Sequence, residues 1–575
     1  MSSSTSAEIE LKLLIPGLTA AQARQALQRS PALRRRQPQV TQLWNIYFDT
    51  PEQYLRSQRS ALRLRRTTRK DPASRPDASG ATPRTPWLQT FKTAGHSQGG
   101  LSQRGEWERA VRGKQLSLAA LAGSPWAELD PDGTRFAALQ PCFQNRCERT
   151  LWLVHRRSGA VMEVALDAGS VQAGALVQPM LELELELVQG SPEDLFELAS
   201  ELAETLPLLP FDTSKAQRGY ALSDAATAGT PWPGSGSAPP STPPSLPAAA
   251  ALRARPLRLP RRLPPQVVAP QVLGEILQQL TGNLALLGQL LCTEPWELRQ
   301  TAQAPGTLPS QHPLPPPELV HQARVGWRRW RSLLQLLKPW LPHTQALGPV
   351  RASLDPLLDA LAQCRNLDVA HTETLPHWAS AYTHSALFAE TAGPDSTVAA
   401  WQQEVKDAQH RLQMARQTAY ATLAGCLQDP ATGAGLLGLG RWLQGCGTAT
   451  TSTGANLDTP PDWAEARLLR WQRRLQRWLK ASRQPGSHPQ QLHDARLLAK
   501  RLRYGSEALA SLLPKKAQQW ASDATGWQTR IGLQRDAHQA AQLLLEVGAA
   551  PALAAFLRGV AAATDITQSV SDPRR

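Results

Sequence analysis

The sequence predicts an α+β protein: an N-terminal antiparallel β-barrel with flanking helices, followed by an all-α C-terminal region. Three observations carry that prediction. Charged and aliphatic residues alternate strictly at Glu8-Ile9-Glu10-Leu11-Lys12-Leu13 and again at Leu181-Glu182-Leu183-Glu184-Leu185-Glu186-Leu187. In a strand, period two puts the charges on one face and the aliphatics on the other. Six further period-two stretches lie between these two, which makes eight strands, enough to close a barrel. From about residue 266 to 547 no strand pattern remains, and Leu/Ala/Gln/Arg segments follow a 3.6-residue period.

In chain order, the strands are expected over 8–13, 42–49, 61–66, 87–92, 104–108, 149–155, 160–167 and 181–188. Residues 19–29 read as a helix with Thr19 as N-cap, and 191–205 as another, with Ser191 ahead of Pro192, Glu193 and Asp194. The Pro/Ser/Gly-rich stretch 71–86 is expected to be a flexible insertion. Residues 225–265 are dominated by Pro, Ser, Gly and Ala and read as an inter-domain linker. The domain division that follows is 7–222, a linker over 223–265, a helical domain over 266–547 and a tail over 548–575.

At 575 residues the chain exceeds a single core, so two or more domains are expected. A formal charge of +15 suggests a polyanionic partner: nucleic acid, polyphosphate or anionic lipid. The six cysteines show no CxxC pair and no framework spacing, which points to reduced thiols in a cytoplasm. The N-terminus lacks the basic and apolar regions of a secretory leader, and no apolar run is long enough for a membrane span.

The helical region repeats. His321-x2-Arg324-x3-Arg328-Arg329-x-Arg331 has the spacing of His493-x2-Arg496-x3-Lys500-Arg501-x-Arg503, and an aspartate follows each, Asp368 and Asp536. Two tandem units related by duplication are inferred. On a helix the five positions fall within an arc of about 160°, so each half presents a basic face headed by a histidine. Trp327 and Trp330 sit off that arc and read as core.

In the N-terminal region, five carboxylates on two strands would require neutralisation if they faced a shared interior. The other strands supply cations: Arg63 and Arg65, Lys92, Arg104 beside Glu106 and Glu108, Arg149, and then Lys215 and Arg218, while Glu163 and Asp167 share a face. Any single row reads as a solvated face with cross-strand partners. All rows together favour a charged tunnel. Basic residues opposite carboxylates suit a substrate with several phosphates, since guanidinium forks bind phosphate oxygens and carboxylates hold Mg2+ or Mn2+.

Glu8-x-Glu10-x-Lys12, Leu62-Arg63-Leu64-Arg65, Thr90-Phe91-Lys92-Thr93, Gln103-Arg104-x-Glu106-x-Glu108, Leu166-Asp167-Ala168-Gly169, Glu182-x-Glu184-x-Glu186-Leu187 and Ser214-Lys215-Ala216-Gln217-Arg218-Gly219-Tyr220 resemble, in order, the motifs of the CYTH, or triphosphate tunnel metalloenzyme, superfamily. The resemblance spans the first domain. It implies an eight-stranded antiparallel tunnel and metal-dependent hydrolysis of triphosphates. It places metal-binding carboxylates on Glu8, Glu10, Glu182 and Glu184, with Glu186 on the same face leaving Glu184/Glu186 as an alternative pair. Phosphate-binding residues fall on Lys12, Arg63, Arg65, Lys92, Arg104, Arg149, Lys215 and Arg218, with Arg146 lying close to Arg149. The catalytic set is Glu8, Glu10, Lys12, Glu182 and Glu184.

The segments Val320-His321-x2-Arg324-Val325, Leu492-His493-x2-Arg496, Lys500-Arg501-Leu502-Arg503-Tyr504-x2-Glu507 and Arg365-x2-Asp368 resemble a CHAD domain. That resemblance implies two pseudo-symmetric helical bundles binding inorganic polyphosphate through His321, Arg324, Arg328, Arg329, Arg331, His493, Arg496, Lys500, Arg501 and Arg503. The expected function is a cytoplasmic inorganic triphosphatase whose helical domain binds the polymer, with neither a specific nucleic-acid partner nor a membrane span. Association with polyphosphate granules would follow. The alternatives are a mainly polyphosphate-binding protein with a slow or regulatory tunnel, or another tunnel enzyme such as a class IV-type adenylate cyclase or a thiamine triphosphatase.

Overall fold

The computed structural model describes residues 7–69, 86–228, 250–292, 314–385, 394–452, 460–482, 489–549 and 551–570. Residues 71–85 of the expected insertion over 71–86, and the Pro/Ser/Gly core of the linker at 229–249, lie outside the described residues. The chain divides into two compact units, one comprising residues 1–250 with Asp429–Arg441, the other Ala251–Gln428 with Trp442–Arg575.

Among its described residues the first unit contains ten strands: β1 Ala7–Leu14, β2 Gln39–Asp49, β3 Ala61–Arg69, β4 Trp87–Lys92, β5 His96–Gln98, β6 Leu101–Val111, β7 Gln140–His155, β8 Val161–Ala173, β9 Leu176–Gln189 and β10 Leu209–Pro210. Eight of them run β1-β9-β8-β7-β2-β3-β4-β6, and β6 returns to β1. The closing pairs run from Ala7↔Gly105 to Leu11↔Leu101, antiparallel. The barrel is therefore closed and leaves no long edge among its eight strands. The short β5 and β10 pair with β6 and β1.

Alternation makes the outer face of β1, β9 and β8 apolar, and two helices cover it. Ala20–Arg29 begins where Thr19 and Gln22 cap each other, Gln22 N donating to Thr19 Oγ1 at 3.3 Å and Thr19 N to Gln22 Oε1 at 2.9 Å. Pro192–Ala203 begins at Ser191, whose backbone N donates to Asp194 Oδ2 at 2.8 Å. Leu27, Leu195, Leu198 and Leu202 pack on Leu11, Leu13, Leu183 and Leu185, all fully buried. Each such leucine is worth roughly 1.5–3 kcal/mol. This is the inverse of an ordinary small barrel: the leucines face out under helices and the charges face in.

The interior is not charged along its whole length. Near β7's first half the inward residues are Phe143, Asn145 and Cys147, and Tyr47, Val171 and Met180 face the same space. The helix Lys215–Ala228 fills that end with Tyr220 and Leu222. Its approach requires Gly219, because a Cβ there would lie 2.0 Å from the Phe143 ring. Tyr220 donates its hydroxyl to Asp49 Oδ2 at 2.7 Å, and Asp49 in turn accepts from the backbone of Leu55 and Arg56.

The second unit is helical: Pro265–Cys292, Pro317–Leu337, Leu347–Val369, Leu375–Ser385, Pro394–Leu427, Trp463–Ser482, Pro489–Ala508, Lys515–Glu546 and Pro551–Val570, with a part of Pro430–Ser452. The two repeat helices, Pro317–Leu337 and Pro489–Ala508, pack against each other, and Lys515–Glu546 packs against the second. Among the described residues no helix is long and apolar enough to cross a membrane. Residues 250–264, expected as linker, are tied to this unit: Leu252 N donates to Asn283 Oδ1 at 3.0 Å and Leu259 N to Ser511 Oγ at 3.1 Å. A proline-rich strand without secondary structure can still dock when its backbone finds side-chain partners.

Candidate functional site

Strand register decides which charges meet. On β1, Glu8 lies opposite Arg104 of β6, Glu10 opposite Glu186 of β9, and Lys12 opposite Glu184. Glu186 lies opposite Glu163 of β8, and Asp167 stands opposite both Glu182 and Arg149. On the other wall Asn45 and Tyr47 of β2 oppose Arg65 and Arg63.

Most of these residues line a cavity of ≈ 700 Å³. Of the expected site residues, Glu8, Glu10, Lys12, Arg63, Arg65, Lys92, Arg104, Arg149, Glu184, Glu186 and Lys215 line it. Glu182 and Arg218 are not among its lining residues; they pair with each other and are nearly fully buried. Glu182 and Glu184 are the expected metal carboxylates of β9, with Glu184 and Glu186 as the alternative; Glu184 and Glu186 line the cavity, while Glu182 lies against Lys215 and Arg218.

The cations are held by carboxylates. Lys92 Nζ donates to both Glu8 oxygens at 2.9 and 2.8 Å. Arg104 donates from Nε to Glu8 Oε2 at 2.9 Å and from Nη2 to Glu10 Oε1 at 2.6 Å. Lys12 is 3.0 Å from Glu10. Arg149 lines the cavity and grips Asp167 at 2.7 and 2.6 Å and Glu184 at 2.7 Å, whereas the Arg146 guanidinium lies over the Trp44 ring. Lys215 reaches Asp167 at 2.7 Å, Glu184 at 2.8 Å, and Glu182.

These pairings shift the titrations. Burial works against the charged form of Glu8 and Glu184, yet Lys92 and Arg104 hold the first, and Lys215 and Arg149 the second, below the usual carboxylate range. Glu186 behaves oppositely. Burial, together with Glu8, Glu10 and Glu163, pushes its carboxyl up to about 7. Glu10, Glu186 and Glu163 form a row of directly opposed acids across three strands, an arrangement that is unfavourable unless a cation joins it.

That row is an oxygen-only donor set, which fits a hard divalent ion such as Mg2+ or Mn2+. A second acidic group, Asp167, Glu182 and Glu184, brings its carboxylate oxygens within 4.8 Å of one another. Its charge is already answered by Lys215, Arg149 and Arg218. The Glu10, Glu186 and Glu163 row is a second candidate: Arg104 and Lys12 answer Glu10, and Glu186 and Glu163 line the cavity beside it.

Two polar residues outside the expected set support the arginines. Asn45, buried, accepts from Arg65 Nε at 2.9 Å and donates to Asn145 Oδ1 at 2.6 Å. Tyr47 lines the cavity beside Arg63 and stacks on Phe143 at 4.6 Å. The signal for both was present in the alternation of β2, where they occupy the same face.

In the helical unit the basic arc divides. Lys500 is pushed down to about 7 by burial and by Arg328, Arg496, Arg535 and Arg503, all close enough to repel its charge. Arg324 is lowered by burial and by Arg328, Arg535 and Arg365. His321 joins this cluster through Arg365 and Arg328. The His493 side chain lies outside the described residues. Arg331 belongs to a neighbouring group with Arg351 and Arg501. Asp368 is fully buried and bound by Arg416 Nε and the Tyr420 hydroxyl, both at 2.9 Å.

Arg329 departs from the expectation. It is buried, pairs with Glu275 at 2.7 Å and donates to Gln279, so it faces the core and not an anion. A 160° arc is wider than the solvent face of a packed helix, and Arg329 sits at its edge. Replacing Arg329 by Met strands Glu275 and is expected to cost the helical unit about 3–5 kcal/mol in urea titration, with little change in anion affinity.

Comparison with known proteins agrees with this geometry. The CYTH domain family matches residues 6–220 and the CHAD domain family residues 302–545. The chain carries a CYTH domain followed by a CHAD domain. Its CYTH part is 32% identical over 216 residues to the inorganic triphosphatase of Haemophilus influenzae, a match covering 37% of this chain and 54% of that protein. The chain thus spans about half the length of that curated relative. Among solved structures, the CHAD domain from the plant Ricinus communis is 21% identical, with a TM-score of 0.41, over 56% of this chain and 93% of that one. A Hippeastrum protein described as a candidate adenylyl cyclase with a dominant triphosphatase activity is 20% identical, with a TM-score of 0.28, over 37% and 95%.

Proposed function

We propose that the CYTH barrel is a metal-dependent inorganic triphosphatase and that the CHAD unit binds linear polyphosphate. One observation carries the first half: a row of opposed acids, Glu10, Glu186 and Glu163, shares one cavity with Lys12, Arg63, Arg65, Lys92 and Arg104. Such a cavity suits an anion of several phosphates bound together with a divalent cation. The name of the curated relative supports the same substrate.

In this reading Arg63 and Arg65, held by Tyr47 and Asn45, present guanidinium forks to phosphate oxygens, and Lys12, Lys92 and Lys215 add point charges. Arg104 moves from Glu8 and Glu10 to the substrate. A divalent ion on Glu8, Glu10 and Glu186 would supply charge neutralisation at the phosphate oxygens and a more acidic water. The buried wall excludes bulk water and strengthens each charge contact. Six cysteines without framework spacing, four of them buried, support a reducing compartment such as the cytoplasm.

The test is phosphate release by the full-length protein from tripolyphosphate, longer polyphosphate, ATP and thiamine triphosphate, with Mg2+ or Mn2+. Tripolyphosphate is expected to be preferred and chelation to stop turnover. Preference for ATP with release of a cyclic nucleotide would replace the reading with a cyclase.

The cation cluster around Lys500 supports the second half. Because burial and the neighbouring cations hold Lys500 down to about 7, part of the population is neutral at neutral pH. A bound polyanion raises that value, so binding takes up a proton. Polyphosphate affinity is expected to rise by up to ~tenfold per unit as pH falls toward 7, and to flatten below it. Lys500→Arg, charged throughout, should remove the slope in titrations at matched salt.

A further inference from the structure

The helix Trp463–Ser482 carries Arg467, Arg470, Arg473, Arg474, Arg477 and Lys480 against a single acid, Glu465. It packs through Trp463, Ala464, Leu468 and Leu475, whereas Arg470, Arg473, Arg474, Arg477 and Lys480 are exposed. Those five lie within an arc of about 120° and span about 15 Å of helix axis. The pairs Arg470/Arg474 and Arg473/Arg477 place like charges one turn apart, which weakens a helix. One carboxylate cannot answer six cations, so this face differs from a solvated one laced with acids.

The helix is tied to the first repeat helix, which carries part of the basic arc described above. Arg467 Nε donates to Leu336 O at 3.1 Å, at the end of the first repeat helix. Leu336 lies five residues beyond Arg331, about 7.5 Å along the axis. Arg331 belongs to the group with Arg351 and Arg501, and Leu468 and Trp471 approach Gly505 of the second repeat helix.

The occupant can be narrowed by what the face lacks. Trp471 and Trp478 are half-buried, and the Arg474 guanidinium sits 4.4 Å from the centre of the Trp478 ring. No open aromatic platform is offered to a nucleobase. The apolar side of the helix is packed into the fold, so it has nothing to insert into lipid. A polyanion with neither bases nor tails fits best.

We propose that the exposed face of the helix Trp463–Ser482 is a second track for linear inorganic polyphosphate. It extends the cluster around Lys500, so that long chains engage both surfaces at once. The inference rests on the reading that the CHAD unit binds polyphosphate. Linked engagement multiplies affinity without any new kind of contact.

The test compares short-chain and long-chain polyphosphate binding to the full-length protein at matched salt. The wild type is expected to bind long chains at least about tenfold more tightly per chain than short ones. Combining Arg470→Gln, Arg473→Gln, Arg474→Gln and Arg477→Gln should erase most of that advantage, leave short-chain affinity unchanged and flatten the salt dependence. The corresponding Arg→Lys set should retain the advantage, which separates charge from helix integrity. Unchanged long-chain affinity in the Gln variant overturns the track while leaving the central cluster in place. Tighter binding of duplex DNA or anionic vesicles than of long polyphosphate overturns the choice of partner. Binding of neither chain length overturns both this inference and the reading on which it rests.

Discussion

Replacing Lys215 by Met is expected to remove about 3–5 kcal/mol of stability from the barrel and to abolish tripolyphosphate turnover. Lys215 is 9% exposed and is the shared cation of Asp167 and Glu182, which are almost completely buried, and of Glu184, which lines the cavity. Methionine keeps the volume but leaves three carboxylates with two guanidinium groups, Arg149 and Arg218. A buried charge without its partner costs far more than the pair itself contributes. Native-state hydrogen exchange in β7, β8 and β9 reads the loss directly, and exchange rates equal to wild type would contradict it.

Acid acts on the same contacts. Burial alone would raise Asp167 and Glu184, but Arg149 and Lys215 hold both below their ordinary values. A carboxyl whose folded value is depressed stabilises fully above the unfolded value, near ~4, and that contribution is lost as pH falls through the folded value. Barrel stability should therefore decline steeply only below about pH 4. Glu186 works in the opposite sense, because its raised carboxyl favours the folded state below 7.

Arg104→Met is expected to split two affinities that a general disruption would move together. The guanidinium bridges Glu8 and Glu10, and burial opposes its charge less than those two carboxylates favour it. Its removal frees donor oxygens for a divalent ion, so the metal activation constant should fall. The same change deletes a charge-assisted contact to phosphate, so KM for tripolyphosphate should rise by about 10- to 100-fold, equivalent to ~1.5–3 kcal/mol. A rise in both constants would indicate that Arg104 mainly orders the wall.

How much of this was legible in the sequence depends on how the alternation is dressed. At Glu8–Leu13 and Leu181–Leu187 the inward residues are charged and the outward ones leucine, so period two is unmistakable. The first half of β7 was missed because the pattern reverses along one strand. Phe143 and Cys147 point inward where the helix Lys215–Ala228 fills the barrel, while Arg149 points inward where the cavity is charged and Thr150, Trp152 and Val154 pack outside. A strand whose two ends face different interiors has no single sign of alternation. The same limit hid Asn45 and Tyr47, neutral residues whose roles come from the arginines opposite them.

In the helical region, spacing identified the basic face but not its edges. Arg324, Arg328, Arg496 and Lys500 share one cluster, whereas Arg329 turns to Glu275 and Arg331 to Arg351. A helical wheel gives angles, but only the neighbouring helices decide which part of a wide arc meets solvent. The strip on Trp463–Ser482 stood outside the repeat altogether, so repeat spacing could not mark it.

The central claim, that the barrel uses its acid row to hydrolyse triphosphate with a divalent ion, is tested most directly at Glu10. This residue is 3% exposed, opposes Glu186 and carries Arg104 and Lys12. Glu10→Gln keeps shape and one acceptor but removes the charge. Phosphate release from tripolyphosphate by the full-length protein with Mg2+ or Mn2+ is expected to fall by about 10²- to 10³-fold or more, with barrel hydrogen exchange unchanged. Turnover retained in Glu10→Gln, or wild-type turnover that persists after chelation, would contradict the account.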